Sequence, residues 1–545
     1  MTVRRLLVVL VLLAATSHVL AIGRTLLPAQ DGLKFLRVAR QFQTVSWVEA
    51  TRGSDQHPLY PLLVALTEPP LAQLLGHGPD TWRIAAQLVS SVSALLIIIP
   101  LYCLTRSLFD ERVGVLAVFI YTLLPLPAAV GHDTLSDSLA LFLAISALAL
   151  GERSLRTNGW ITPLACGVVS GLGYLTRPEV LIVPVAVLLT AATYWKWKVA
   201  SPQFVPRFAT LAITFLFLVG SYAMVKGELS EKLSLRKTAA MGPSAKSSRK
   251  AEQWLPPGLK DARWDFSPKE ESEEPETANL ARTLEWLFFH WAEGLCGVFA
   301  FFGLWGVARA GYIRKVCWEL DAASAHIETH EDASGASRLL PGPRLIVVYL
   351  GLFSLVLVRH ALRMGYLSDR HSLTLIATSI PWAAAGTFIC ALRLSRVLRW
   401  NTRLSVRVGT LAIVILMASA GYLQAKPSHA SRWGHWAAGQ WLRENVAPDE
   451  AILDTRGWAA FSSGKPNYDY WHVRQALTDS HLRYIVVGTR ELEASSKRAA
   501  TLRAILSYAA KPSAEFPERH GGRIENGGIR IYRYERPSTW EGIQE

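Results

Sequence analysis

Long apolar runs separated by short polar breaks fill residues 1–425, after which the pattern changes. Runs near the length of about 20 residues that crosses a bilayer core fall at 5–22, 82–105, 113–131, 135–151, 161–177, 179–195, 207–225, 284–310, 344–361, 372–392 and 405–424. The pattern predicts about 11 membrane spans. The first run also has the form of a signal peptide, with a basic start, an apolar core and small residues near Ala21. We read it as an uncleaved span. Segment 58–75 is short, holds Pro58, Pro61, Pro69 and Pro70, and carries Glu68. Proline removes backbone donors and breaks helices, so this segment is expected to be re-entrant or to lie on the membrane surface. From residue 426 the runs shorten. WGHWAAGQWLRENVAP and ELEASSKRAATLRAILSYAA have helical periodicity, EAILDT and LRYIVVG read as buried strands, and GIRIYRYE alternates like a half-exposed strand. The expected fold class is a polytopic all-α membrane protein, residues 1–425, carrying a small α/β domain, residues 426–545.

Composition agrees with that division. Of 545 residues, 50% are apolar and 18% charged, against about 25% charged in soluble chains. This excludes a soluble enzyme and a disordered protein, and the number of runs excludes a single-span receptor. The net charge of +14 is explained by cytoplasmic loops rich in Lys and Arg. No nucleic-acid-binding motif occurs, so no nucleic-acid partner is expected. The 5 cysteines are scattered singly, which supports neither a zinc site nor a disulfide framework.

Charge also sets the expected topology. With 58–75 outside the span count, the N-terminus is cytoplasmic, together with Arg106, Arg112, Arg153, Arg156 and the acid-free loop holding Arg393, Arg396, Arg399, Arg403 and Arg407. The opposite face then holds the first loop, 23–81, the turn 132–137, the long loop 226–283, the turn 362–371 and the tail. The long loop is rich in Ser, Pro and Glu. It is expected to be mobile and able to close over a site.

Ionisable residues gather on that face. Intramembrane or span-end charge is costly and marks function by default. Asp31 opens the amphipathic stretch PAQDGLKFLRVARQF, with Leu33, Phe35, Leu36, Ala39 and Phe42 at helical spacing. Asp133 and Asp137 lie one helical turn apart in GHDTLSDSLALFL, and Arg177 and Glu179 flank Pro178 in YLTRPE. Arg359, Arg363, Tyr366, Arg370 and His371 lie in or beside RMGYLSDRHSL, where basic residues disfavoured by topology would be stabilised by a lipid phosphate. Asp55, His57 and Tyr60 follow in SDQHPLYPLL, and Glu293 interrupts the run 284–310. For Asp31 and Asp137 a plain helix N-cap is the structural alternative, and for Arg177 a snorkelling hairpin residue.

In this order and on one face, these motifs resemble the membrane glycosyltransferases of GT-C architecture. The nearest branch groups protein mannosyltransferases, the aminoarabinose transferase of lipid A and related transferases that use polyprenyl-phosphate sugars. The resemblance covers about residues 1–425. It implies inverting transfer from a polyprenyl-phosphate sugar to a lipid, glycan or protein acceptor on the exterior face, in a bacterial inner membrane with a periplasmic tail. By the resemblance, Asp31 is the general base. Asp137, or in its place Asp133, orients substrate or a divalent cation such as Mg or Mn, with Asp31 and Asp137 the candidate ligands. Arg177, Arg370 and His371 hold the lipid phosphate, and His57, Tyr60, Glu179 and Tyr366 complete the substrate site. The chain departs from the family where Gly32, rather than a second acid, follows Asp31, and where His371 replaces an aromatic residue. The competing expectations are a transporter or flippase of lipid-linked sugars and a non-catalytic assembly protein. A transporter places its polar groups near the midplane, whereas here they lie at span ends.

Overall fold

The computed structural model of the protein describes residues 3–196, 204–227, 279–313, 316, 341–399, 402–424, 428–520 and 523–537. Of the expected mobile loop 226–283, residues 228–278 lie outside the described residues.

Among the described residues, 7 helices are long and apolar enough to cross a membrane, or up to 9 if each of two bent pairs is one span. The expected count of 11 is therefore not reached, for two physical reasons. The runs at 161–177 and 179–195 form the short helices Ile161–Tyr174 and Pro178–Thr193. The first has 14 residues, which at about 1.5 Å each spans about 21 Å, less than a hydrocarbon core of about 30 Å. Other runs are bent. The run 284–310 becomes Leu280–Gly294 and Val298–Ala308, at 105° to each other, with Cys296 and Gly297 at φ 55° and 63° in the turn. The run 113–131 is bent by 66° after Leu123.

Segment 58–75 is not among the helices long enough to cross a membrane, in agreement with its exclusion from the span count, but its prolines do not break it. It is a continuous helix, Leu59–Leu75, with Pro69 and Pro70 inside it. A proline at position 69 leaves the Ala65 carbonyl without its helical donor. Gln43 Nε2 donates to that carbonyl at 3.0 Å and to Glu68 Oε2 at 3.1 Å, so a neighbouring helix satisfies the group the proline orphans.

Gln43 directly follows the amphipathic stretch, in the same helix, Gln30–Thr44. Its buried face is Gly32, Phe35, Leu36, Val38 and Ala39. Leu33, expected on that face, instead lines a cavity beside the tail. Gly32 is pressed against the turn before Asp137: a Cβ there would overlap Thr134 Oγ1 and lie 2.9 Å from the Thr134 carbonyl. This contact leaves no room for the second acid that the family pattern suggests. We expect Gly32→Glu to lower thermal stability by about 1–3 kcal/mol, as overpacking does; a melting curve of the detergent-purified chain checks it.

The tail forms a 5-stranded sheet of order β2-β1-β3-β5-β4. Its strands are β1 (Ala451–Asp454), β2 (Asn467–Tyr468), β3 (Leu482–Gly488), β4 (Ala510–His520) and β5 (Arg523–Tyr534). β1 is parallel to β2 and β3, while β5 is antiparallel to β3 and β4. Two apolar clusters cover the sheet, one built on Leu453, Ile485 and Ile505, the other on Ile452, Val486 and Ala438. The long helix expected at 491–510 is two, Thr489–Glu493 and Lys497–Ala509, because Ser496 caps the second.

His435 is buried in the tail against the Trp458 ring, at 4.9 Å between centroids. Burial, with Arg456 and Arg432 nearby, pushes its pKa down to about 3. The native imidazole stays neutral where the unfolded one, near 6.5, takes a proton. Between those two values the unfolded chain binds more protons, so stability rises with pH across the window and falls on acidification through it. Tail melting followed at several pH values should show this slope, and His435→Leu should flatten it.

Candidate active site

Four chain segments converge at one end of the helix bundle. Asp31 sits in the first turn of Gln30–Thr44, but the N-cap is Ala29 and the carboxylate caps nothing. Likewise Asp137 begins its helix after Ser136 at the N-cap position. Both cap readings give way to ion pairs. Asp31 Oδ2 accepts from Arg370 Nη2 at 2.7 Å, and Asp31 Oδ1 lies 4.0 Å from Lys34 Nζ. Asp137 Oδ1 pairs with Arg177 Nη1, and Arg177 Nε lies 3.6 Å from Glu179 Oε2. The sharp break after Tyr174 makes this reach available: Arg177 is extended, at φ −152° and ψ 133°, ahead of Pro178. Arg370 and His371 open the helix Asp369–Val397, where the Ser368 N–H donates to His371 Nδ1 at 3.3 Å.

These groups enclose a cavity of about 110 Å³. Its polar lining is Asp137, Arg177, Glu179, His360, Arg370 and His371, and its apolar lining includes Tyr349, Phe353 and Leu357. A second cavity, of about 680 Å³, lies between the helix Gln30–Thr44 and the tail. Gln30, Leu33, Lys34 and Arg37 line it from the helix, and Asn467, Tyr468, Asp469 and Trp471 from the tail. Asp31 lines neither cavity but links their walls, with one oxygen on Arg370 of the small cavity and the other toward Lys34 of the large one.

The charge balance keeps Asp31 ionised. Burial works against its charge, but the hydrogen bond and attraction of Arg370, then Lys34 and Arg177, hold its carboxyl below the usual carboxylate range.

The expected site residues separate into two groups. Asp31, Asp137, Arg177, Glu179, Arg370 and His371 come together. Tyr366 stands at the rim, 52% exposed, its ring 6.1 Å from that of His371. The others lie elsewhere. Tyr60 is fully buried, its hydroxyl 3.0 Å from the Ala86 carbonyl and from Ser90 Oγ, and packs on Phe35. His57 packs between the Tyr222 and Tyr174 rings, at 5.5 and 5.4 Å, and lines neither cavity. Asp133 is buried and faces the tail: His429 Nε2 meets its Oδ2 at 2.9 Å. Asp137, and not Asp133, therefore lines the small cavity. Arg359 and Arg363 are exposed and line neither cavity. Sequence reasoning missed Lys34 and His360. Lys34 lay in view, one turn after Asp31 in the same stretch.

A cation shared by Asp31 and Asp137 does not fit this arrangement, because a guanidinium already engages each carboxylate. Among the described residues, the group with suitable ligand atoms is His290, Glu293 and Asp369, all within 4.8 Å of one another. His290 Nδ1 is 2.6 Å from Asp369 Oδ1. Glu293, which interrupts the run 284–310, is an exposed member of this group.

Residues 59–223 match the family model described as dolichyl-phosphate-mannose-protein mannosyltransferase. No curated protein matches the sequence. Solved structures do match in fold. ArnT from Cupriavidus metallidurans bound to undecaprenyl phosphate is 13% identical, with a TM-score of 0.57 over 98% of this chain and 99% of that one. The oligosaccharyltransferase AglB from Archaeoglobus fulgidus in the apo form is 14% identical, with a TM-score of 0.55 over 96% of this chain and 74% of that one. The same oligosaccharyltransferase in complex with Zn and sulfate gives 13% identity and a TM-score of 0.54 over 96% and 73%. The chain thus has the GT-C glycosyltransferase fold, of the type shared by ArnT and the protein mannosyltransferases.

Proposed function

We propose that the chain is an inverting glycosyltransferase that moves a sugar from a polyprenyl-phosphate donor to a hydroxyl of a lipid, glycan or protein acceptor on the exterior face of a bacterial inner membrane. The observation that carries this reading is the contact of Asp31 with both cavity walls, through Arg370 of the small cavity and Lys34 of the large one. The small cavity suits the donor. Arg177 and Arg370 supply fixed positive charge for the phosphate, and His371 completes its lining. An apolar groove of about 330 Å³, lined by Leu284, Phe288, Trp291, Leu375 and Trp382, suits the prenyl chain. The large cavity suits the acceptor.

The bond changes follow from this placement. The acceptor oxygen bonds to the anomeric carbon from the face opposite the phosphate. The bond from that carbon to the phosphate oxygen breaks, and its electron pair leaves with the polyprenyl phosphate. The acceptor proton passes to Asp31. The leaving group departs as an anion, so no general acid is needed. A donor phosphate would also compete with Asp31 for Arg370. Drawing the guanidinium away removes the main influence that keeps the Asp31 carboxyl acidic, so donor binding strengthens the base.

Two measurements test the reading. Mass spectrometry of glycolipids and glycoproteins from cells with and without the gene should show one sugar modification lost. The purified chain should then make that linkage from a polyprenyl-phosphate sugar. Unchanged glycans together with no product from any such donor would sink the reading.

A further inference from the structure

The short segment that joins the bundle to the tail grips both strands of chain that carry the site carboxylates. His429, in the left-handed region at φ 57°, places Nε2 at 2.9 Å from Asp133 Oδ2. The other oxygen of Asp133 accepts the Thr134 N–H at 2.7 Å. Thr134 Oγ1 in turn accepts the Ala29 N–H at 2.9 Å and sits against Gly32. Ala29 and Gly32 bracket Asp31, and Asp133 and Thr134 lie within one turn of Asp137.

A second grip runs through Arg432. Its Nη1 donates to the Pro28 carbonyl at 2.6 Å, and the Trp458 Nε1–H donates to the same carbonyl at 3.1 Å. The Arg432 guanidinium lies 4.1 Å over the Trp458 ring. Next to it, Ser428 Oγ is 2.8 Å from His132 Nε2, and the His132 carbonyl accepts from Gln87 at 2.7 Å. Neither His429 nor Arg432 lines the donor or the acceptor cavity.

We propose that His429 and Arg432 are positioning residues: the tail clamps Pro28 and Asp133, and so fixes the distance and orientation between Asp31 and Asp137. The catalytic part of this inference rests on the transferase reading above; the clamp itself does not. The physical need is plain. Asp31 lies on the amphipathic helix Gln30–Thr44 and Asp137 on a helix of the bundle, and no covalent link shorter than 100 residues joins them. A base displaced by about 1 Å from its acceptor oxygen loses about 10²-fold in rate. The Asp133–Thr134–Ala29 bridge ties the two helices together, and His429 holds that bridge from the far side. A buried Asp133 without His429 would also leave its Oδ2 without the partner seen here, which favours rotation of the turn.

The test uses the full chain and three variants, His429→Ala, His429→Gln and Arg432→Ala. Backbone hydrogen exchange is compared over 28–44 and 131–137, binding is measured with undecaprenyl phosphate as the probe, and transfer is measured as turnover. His429→Ala should speed exchange in both segments and lower turnover about tenfold or more, with undecaprenyl phosphate affinity unchanged. His429→Gln keeps a donor near Nε2 and should recover most of both effects. Arg432→Ala should speed exchange at 28–44 more than at 131–137. Unchanged exchange in both segments overturns the clamp whether or not transfer is observed. Faster exchange with wild-type turnover overturns the catalytic part alone. Affinity for undecaprenyl phosphate falling in step with turnover, or a Gln variant no better than Ala, makes the pair a general fold contact and overturns the proposal. A wild-type chain that transfers nothing sinks the transferase reading and leaves the exchange result to decide the clamp.

Discussion

Replacing Asp31 by Asn should lower sugar transfer by about 10²–10⁴-fold, the usual contribution of a positioned general base. The substitution changes little else. Asn has the same shape, and its amide oxygen can still accept from Arg370, which donates to Asp31 Oδ2 at 2.7 Å in the native chain. Asp31 is 45% exposed along its side chain, so losing its charge leaves no buried unpaired group of its own. Folding and binding of undecaprenyl phosphate should therefore persist while the chemical step fails. Loss through kcat with KM for the donor nearly constant is the signature of a group that acts in the transition state. Transfer by Asp31→Asn at the native rate would remove Asp31 from the chemistry and with it the assignment of the two cavities.

Much of the site was legible because its parts are local. Asp31 announces itself as an acid at the head of an amphipathic stretch, and Arg177 and Arg370, with His371 beside the second, as basic residues at turns where topology disfavours them. Each motif keeps its place at one end of a helix, so a common end of the bundle brings them together. Other parts were not legible, because they depend on contacts across the chain. Asp133 and Asp137 have near-identical surroundings in sequence. They are separated by the pairing of Asp133 with His429, 296 positions away, and of Asp137 with Arg177 at the small cavity. Tyr60 and His57 stand in a motif that looks like a site, yet both side chains pack among other rings or in the core. Pro69 and Pro70 argued against a regular helix, yet 59–75 is one, with Gln43 from another helix supplying the donor that Pro69 removes. The count of 11 spans is not reached among the described residues for a similar reason. Hydropathy counts apolar residues, but the helix at 161–174 is too short and the run 284–310 turns by 105° at Cys296–Gly297.

Arg177→Met should damage both the fold and donor binding, and the two effects can be told apart. Asp137 is 5% exposed along its side chain and its charge is matched by Arg177. Removing one partner of a buried pair leaves the other desolvated and uncompensated, at a cost of about 3–5 kcal/mol. The variant should melt well below the native chain. Asp137→Asn should melt less far below it, because Arg177 keeps Glu179 at 3.6 Å and is 25% exposed. The double variant Arg177→Met with Asp137→Asn removes both charges and should regain much of the lost stability. It should not regain undecaprenyl phosphate binding, because the guanidinium is absent from the cavity that it shares with Arg370. Arg177→Lys should also bind the phosphate more weakly, since an ammonium cannot meet Asp137 and Glu179 while presenting a planar fork to phosphate oxygens. Stability that recovers together with phosphate affinity in the double variant would reduce Arg177 to a structural partner of Asp137. Stability that recovers alone separates its two roles: one face of the guanidinium neutralises a buried acid, and the rest is held open for an anion.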